Sequence, residues 1–294
     1  MHFQKITIVG VGLLGGSLGL AARHKKLARE VAGYVRREAS LKECEAAEAV
    51  DYATTDLLAA VSHADLVVLC TPLAQMRSLA QRLAPALKRG ALVTDVGSVK
   101  AGVVRMVAPV IRQAGAQFVG SHPMAGGEKM GVLASRADLY DGAVCVVTPD
   151  QHAPAGAVRK LERFWQALGA RTVRMDAAQH DRLVSRSSHL PHLAAAALVN
   201  VILDPAAPSA QAGLCATGFR DTTRIASGSP EMWRDIALAN RQNLARSIAA
   251  YVAKLKSVQA ALKQGDATAL EKFFATAKER RDQWCNGRTS TSQE

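Results

Sequence analysis

Aromatic residues are scarce in this 294-residue chain: three Trp, four Tyr and six Phe account for 4% of it. Large rings ordinarily dominate core energetics, so this core has to be built from Ala, Val and Leu. Long apolar runs are also missing. The longest, "LVVLC" (66–70) and "LAAAALV" (193–199), fall far short of the roughly 20 residues that cross a bilayer, and no membrane span is expected. The N-terminus, "MHFQKITIVG", enters a strand pattern directly, with no basic segment and no cleavage site, so no secretory leader is expected either. The five cysteines, Cys44, Cys70, Cys145, Cys215 and Cys285, are odd in number and form no C-x-x-C pair. That argues against a disulfide or zinc framework and points to reduced thiols in the cytoplasm.

One imbalance is present: 37 Lys and Arg against 25 Asp and Glu, a net charge of +12. Basic proteins meet anions, and an acidic metabolite is one such partner. Nucleic acid is set aside, because no basic run is interleaved with aromatics and no zinc-finger or RNA-recognition spacing occurs. The length favours two domains over one core.

Short β-rich runs alternate with helical patterns through the first half. The strands are "FQKITIV" (3–9), "EVAGYV" (30–35), "DLVVLC" (65–70), "ALVTDV" (91–96), "AQFVG" (116–120) and "AVCVVT" (143–148). Between them lie helical stretches such as 40–50, 75–87 and 101–114. This alternation predicts an α/β Rossmann-type, doubly wound parallel sheet. Beyond "VRMD" (173–176) no convincing strand follows, and long helical patterns cover 180–203, 229–264 and 267–284, with Gly265 and Asp266 as a break. The expectation is a dinucleotide-binding domain over 1–175, an all-helical C-terminal domain over 176–284 that binds substrate and forms a homodimer, and a disordered polar tail over 285–294. Apolar residues on more than one helix face favour the dimer.

The first strand leads into "GVGLLGGSLG", which spaces Gly10, Gly12 and Gly15 as G-x-G-x-x-G at the opening of a helix. Gly10 permits the tight turn, Gly12 the approach of a pyrophosphate and Gly15 close helix–strand packing, while the helix N-terminus faces the phosphates. Leu13 and Leu14 belong to the same turn, and Thr71, Pro72 and Ser98 follow later strands as further candidate cofactor contacts. An NAD site places an acid about 20 residues on, at the end of the second strand. Here Val35 occupies that place, followed by Arg36 and Arg37. Valine does not repel a 2′-phosphate and arginine pairs with one, so NADP is favoured and NAD remains open.

Four further motifs occur in order: "TDVGSVK" (94–100), "GSHPMAGGE" (120–128), "SHLPH" (188–192) and "GFRDTTRIASGSPEMWRDI" (218–236). Together they resemble the prephenate/arogenate dehydrogenase family of tyrosine biosynthesis, over residues 5 to 283. The resemblance implies oxidation of a ring hydroxyl of prephenate or arogenate, hydride transfer to a nicotinamide, loss of carbon dioxide and aromatisation. It implies that His122 is the catalytic base and that Ser98 hydrogen-bonds the reacting hydroxyl, although a serine there could also cap the following helix. It further implies that His192 and Arg224 bind substrate, that Trp233 lies near the pocket, and that Glu128 holds the site in a closed, charge-paired arrangement. Ser121 and Gly127, flanking His122 and Glu128, are counted as substrate neighbours, and a small residue at 127 bears on how the substrate side chain is read. Asp221 is expected to orient Arg224, and Pro191 to kink its helix. No metal is expected, since His189 and His192 lack a third ligand. Two rival readings are a two-domain dehydrogenase of the β-hydroxyacid or pyrroline-carboxylate type and an NADP-binding sensor without chemistry. The first lacks these joined motifs, and the second has no reason to keep His122, Ser98 and Arg224 together.

Overall fold

The first strand, β1 (Phe3–Val9), is apolar on both faces, which suits the middle of a sheet covered on both sides. Successive side chains of a strand point in opposite directions. Accordingly Ile6 and Ile8 enter one core cluster and Val9 the other. Thr7 is fully buried and its hydroxyl donates to the Ala60 carbonyl at 2.7 Å. The computed structural model describes residues 2–206 and 208–289.

The chain continues through α1 (Leu13–His24), β2 (Ala28–Tyr34), α2 (Ala39–Ala46), β3 (Tyr52–Thr54), α3 (Leu57–Val61), β4 (Leu66–Leu69), α4 (Leu73–Leu83), β5 (Leu92–Asp95), α5 (Ala101–Gln113) and β6 (Gln117–Phe118). These strands form one parallel sheet in the order β3-β2-β1-β4-β5-β6. The order reverses between β1 and β4, the position at which open α/β sheets bind ligands. The doubly wound fold is therefore as expected. The short strand β3 carries no apolar run and was not visible in the sequence pattern.

One expected strand sits elsewhere. "AVCVVT" does not join the parallel sheet. It forms β8 (Val144–Thr148), the centre of a second sheet between β7 (Gly120–Pro123), antiparallel to it, and β9 (Arg171–Arg174), parallel to it. The chain turns from β6 into β7 after Val119, so the motif "GSHPMAGGE" begins as a buried strand. The helix α6 (Ala155–Ala167) supplies Phe164 and Trp165 to the core, both fully buried. Trp165 donates its indole N–H to Ser121 Oγ at 3.0 Å and lies edge-on to Tyr140, whose hydroxyl donates to the Leu14 carbonyl. Phe3, Tyr140, Phe164 and Trp165 thus form one group of contacting rings in this core.

The helical part runs through α7 (Ala177–Val184), α8 (Leu190–Ile202), α9 (Ser209–Gly213), α10 (Thr217–Thr223), α11 (Pro230–Ala239), α12 (Arg241–Gln264) and α13 (Ala267–Thr289). The helix expected over 180–203 keeps helical backbone from α7 into α8, with a π-helical turn at residues 185–189 directly before Pro191, where the missing N–H disturbs the helical hydrogen bonding. The helix expected over 229–264 is broken. At Asn240, between α11 and α12, the side-chain amide donates to the Asp181 carbonyl at 2.8 Å. The break at Gly265 and Asp266 is present, with φ +64° at Gly265. The last helix reaches Thr289, and residues 290–294 of the expected tail lie outside the described residues.

By packing, the chain divides into two compact units, Met1–Arg241 and Gln242–Glu294. The segment from α7 to α11 belongs to the same unit as both sheets, and every residue of the candidate site lies in that unit. No helix among the described residues is long and apolar enough to cross a membrane.

Candidate active site

The glycine turn after β1 opens onto a cavity of about 550 Å³, within the range of small-molecule sites. Gly10, Gly12, Arg36, Arg37, Thr71 and Pro72 all line it, as the sequence reading expected. Gly10 has φ +99°, and a side chain there would meet the Cys70 carbonyl oxygen at 2.7 Å. A Cβ on Gly12 would have open space around it, so this glycine keeps a free approach for a ligand. Gly15 works differently, since any side chain would overlap the Gly10 carbonyl. Leu13 and Leu14 do not line the cavity and instead pack against the core. The first turn of α1 has no acidic residue and no side-chain cap, so its N–H groups are available to an anion. Thr71 Oγ1 is buried with no partner, an orphan that a bound ligand would satisfy. Arg82, from α4, faces Arg36 and Arg37 across the same cavity, and no acid lines it. These residues fit the phosphates of a dinucleotide.

The second part of the site begins at the carboxyl end of β5. Asp95 and Lys100 are both fully buried and ion-paired, and Lys100 Nζ also donates to the Ser121 carbonyl at 2.8 Å. Burial pulls the Lys100 pKa down, and Asp95 opposes that pull. Ser121 is fully buried, and its hydroxyl meets Thr94 Oγ1, the Asp95 carbonyl and the Trp165 indole. It anchors β7 from the inside and is not free to meet a substrate, a correction to its expected role. Gly120 also serves packing: a Cβ would lie 2.6 Å from Thr148 Oγ1 and 3.1 Å from Val104. Gly126 and Gly127 leave open space, with Leu13 near Gly127.

His122, next along β7, is 7% exposed and faces a buried hydrogen-bonded chain. Its Nδ1 lies 2.8 Å from His180 Nε2, and His180 Nδ1 lies 2.8 Å from Asp181 Oδ1. Burial, then the neighbouring His180, Lys100 and His189, hold the His122 pKa well below its ordinary value. His122 is therefore a neutral imidazole near pH 7, the form that accepts a proton. Asp181 also takes the N–H groups of Lys100 and Ala101, at 2.7 and 2.9 Å, and so caps α5. Ser98 is not that cap. It sits half-buried beyond β5, with its backbone beside His189.

From Asp181 the contacts run on. Asn240 reaches both the Asp181 carbonyl and His189 Nδ1, at 2.8 and 3.2 Å. The His189 ring meets Trp233 edge-on at 6.2 Å, and His192 stacks on the other part of the same indole at 3.8 Å between centroids. His192 Nδ1 donates to the Ser188 carbonyl, and the buried His189 Nε2 lies beside the Ser98 backbone. Burial lowers the pKa of His192 and pushes that of His189 down to about 4. A side chain at Gly228 would strike the Trp233 indole nitrogen at 2.6 Å, so this glycine makes room for the ring. Arg224, at the start of the turn after α10, is ion-paired with Glu128 on the loop after β7. Asp221 does not orient Arg224, because it pairs with Arg220 at 3.8 Å. Among the described residues no group of three or more His, Cys, Asp or Glu could hold a metal.

Family models match the chain at both ends of this arrangement. "Prephenate dehydrogenase, nucleotide-binding domain" covers residues 18–174, and "Prephenate dehydrogenase, dimerization domain" covers 176–276. The chain belongs to the prephenate dehydrogenase family. The cyclohexadienyl dehydrogenase of Zymomonas mobilis is 33% identical to it over 95% of either chain. The prephenate dehydrogenase of Bacillus subtilis is 34% identical over 94% of this chain and 75% of its own length. The structure of Aquifex aeolicus prephenate dehydrogenase, in complex with hydroxyphenyl propionate and NAD+, superposes with a TM-score of 0.87 at 30% identity, covering 95% of this chain and 98% of that one. As a prephenate dehydrogenase family member the chain is an oxidoreductase that uses a nicotinamide dinucleotide.

Set against that family, the sequence reading missed the polar residues behind the site: Asp95, Lys100, His180, Asp181 and Asn240. A signal was available in α7, where His180, Asp181 and Val184 share the buried face. A histidine and an acid on a buried helix face are costly unless paired, so their spacing pointed to a partner across the fold.

Proposed function

We propose that the protein catalyses oxidative decarboxylation of prephenate to 4-hydroxyphenylpyruvate, with hydride transfer to NADP+, in tyrosine biosynthesis. The observation that carries this is a buried neutral histidine, His122, on the rim of the β5–β7 corner, backed by His180 and Asp181. The nicotinamide, when bound, supplies the hydride acceptor. His122 Nε2 takes the ring-hydroxyl proton as hydride leaves the same carbon. The carbonyl so formed is conjugated to the carbon bearing the ring carboxylate, and the electrons released by loss of carbon dioxide complete the aromatic ring. Ser98 is assigned to hydrogen-bond the hydroxyl. Arg224 is assigned to grip a substrate carboxylate by exchanging Glu128 for it, since both are exposed and free to re-pair. His192 and Trp233 form a stacked wall to the same pocket.

Prephenate is preferred to arogenate because relatives about a third identical to this chain, such as that of Bacillus subtilis, are prephenate dehydrogenases. NADP is preferred to NAD because three arginines and no acid line the dinucleotide cavity. The division of labour at residue 175, a homodimer through the helical part, and a cytoplasmic location complete the proposal. Exposed apolar residues on α12 and α13, among them Leu255, Leu262, Phe274 and Trp284, support the dimer. Five cysteines without a disulfide support a reducing compartment. The test is nicotinamide reduction with prephenate and with arogenate, each with NAD and with NADP. Turnover is expected with prephenate and NADP above all, and no turnover in any combination would reject the assignment.

A further inference from the structure

We propose that Asp181, acting through His180, sets the tautomer of His122 and thereby decides which ring nitrogen meets the substrate. The proposal deepens the assignment of His122 as base and rests on it. Its starting point is a pair of donors that cannot reverse. The backbone N–H of Lys100 reaches Asp181 Oδ1 at 2.7 Å, and that of Ala101 reaches Oδ2 at 2.9 Å. Both carboxylate oxygens are thus acceptors. His180 Nδ1, 2.8 Å from Oδ1, has to be the donor in that contact.

A neutral imidazole with a proton on Nδ1 has a bare lone pair on Nε2. We take His180 as that neutral ring, so that its Nε2 accepts from the group facing it at 2.8 Å, His122 Nδ1. His122 then carries its proton on Nδ1 and leaves Nε2 bare. One fixed carboxylate propagates its polarity through two rings, and the outcome is the tautomer a base needs. No proton travels along the chain. When the hydroxyl proton arrives at His122 Nε2, the Nδ1–H stays where it was, and the new positive charge is stabilised through His180 by Asp181. His180 is fully buried and Asp181 nearly so, and Asn240 holds the Asp181 carbonyl, so the chain has little freedom to rearrange. Asp181 and His180 are positioning residues and touch no reacting atom.

The experiment is long-range proton–nitrogen NMR on the full-length protein labelled with ¹⁵N-histidine near neutral pH, with His122 assigned by its loss in His122→Asn. The expected wild-type result is His122 protonated at Nδ1. Asp181→Ala removes the acceptor that holds the proton on His180 Nδ1, so the His180 and His122 tautomers are no longer fixed and the population of His122 protonated at Nε2 rises. The expected kinetic effect is a loss of roughly 100-fold or more in kcat, by analogy with loss of the carboxylate behind other catalytic histidines. The KM for prephenate is expected to stay within about threefold, since no substrate contact is lost. Asp181 also caps α5, so the wild-type tautomer is measured first and needs no variant. A wild-type His122 protonated at Nε2 would overturn the proposal, as would Asp181→Ala with an unmoved tautomer and unaltered kcat. If the tautomer is as expected but His122→Asn turns over at the wild-type rate, the base assignment itself fails and the relay loses its catalytic meaning.

Discussion

Arg224 and Glu128 form an ion pair between the turn after α10 and the loop that follows β7, the strand of His122, and both side chains are exposed, at 63% and 46%. An exposed pair of this kind contributes at most about 1 kcal/mol to stability. Its two halves can therefore separate when a carboxylate is offered to the guanidinium. Arg224→Ala is expected to raise the KM for prephenate by about 10-fold or more, the scale of one charge-assisted hydrogen-bonded contact, with a smaller effect on kcat. Steady-state kinetics check this, and an unchanged KM would remove Arg224 from substrate binding.

The pH dependence follows from burial. His122 has its pKa held well below 6.5, so the neutral base persists at pH values where a free histidine is charged. The acid limb of kcat/KM is expected below pH 6.5. The same sign applies to stability. The unfolded chain binds protons at histidine as pH falls through 6.5 while the folded chain resists, so stability present above that pH is lost below it. His189, pushed down to about 4, adds to the loss over the same window. Melting temperature followed from pH 7.5 to 5 is expected to fall, more so than in a His189→Gln variant. A flat profile would contradict the burial argument.

The arginine-lined cavity gives a cofactor prediction. Arg36→Ala combined with Arg37→Ala is expected to weaken NADP binding by about 10-fold or more, the worth of a charge-assisted phosphate contact, and NAD binding by less than about threefold. Nucleotide fluorescence titration reads this without turnover. Equal losses for the two dinucleotides would mean that the arginines do not sense the 2′-phosphate.

Gly120 supports a prediction about packing. A methyl group there meets Thr148 Oγ1 at 2.6 Å and Val104 at 3.1 Å, in a strand buried along its whole length. Gly120→Ala is expected to cost about 1–3 kcal/mol, typical of overpacking, and to lower kcat by displacing His122. Thermal unfolding and activity assays measure the two effects, and an unaltered melting temperature would count against the tight fit.

Much of the fold was legible because its signals are local. The glycine turn, the apolar strands and the alternation with helices each follow from short-range periodicity, and Gly10, Gly12, Arg36, Arg37, Thr71 and Pro72 were placed on one cavity by it. The position of "AVCVVT" was not legible, because a strand's apolar pattern does not say which sheet it joins. The break at Asn240 was hidden for a related reason, since it goes with a tertiary hydrogen bond to the Asp181 carbonyl that propensity does not encode. Ser121 looked like a site residue from its place beside His122, yet alternation along β7 turns it inward. The buried group of Asp95, Lys100, His180 and Asp181 joins residues from β5, α5 and α7, and only the folded chain brings them together.

The most direct measurement is kcat for prephenate in a His122→Asn variant, taken together with its dinucleotide affinity. The account predicts a fall of about 100-fold or more in kcat, the lower range for general-base catalysis, with affinity near wild type. A variant that binds dinucleotide normally and turns over at the wild-type rate would contradict it.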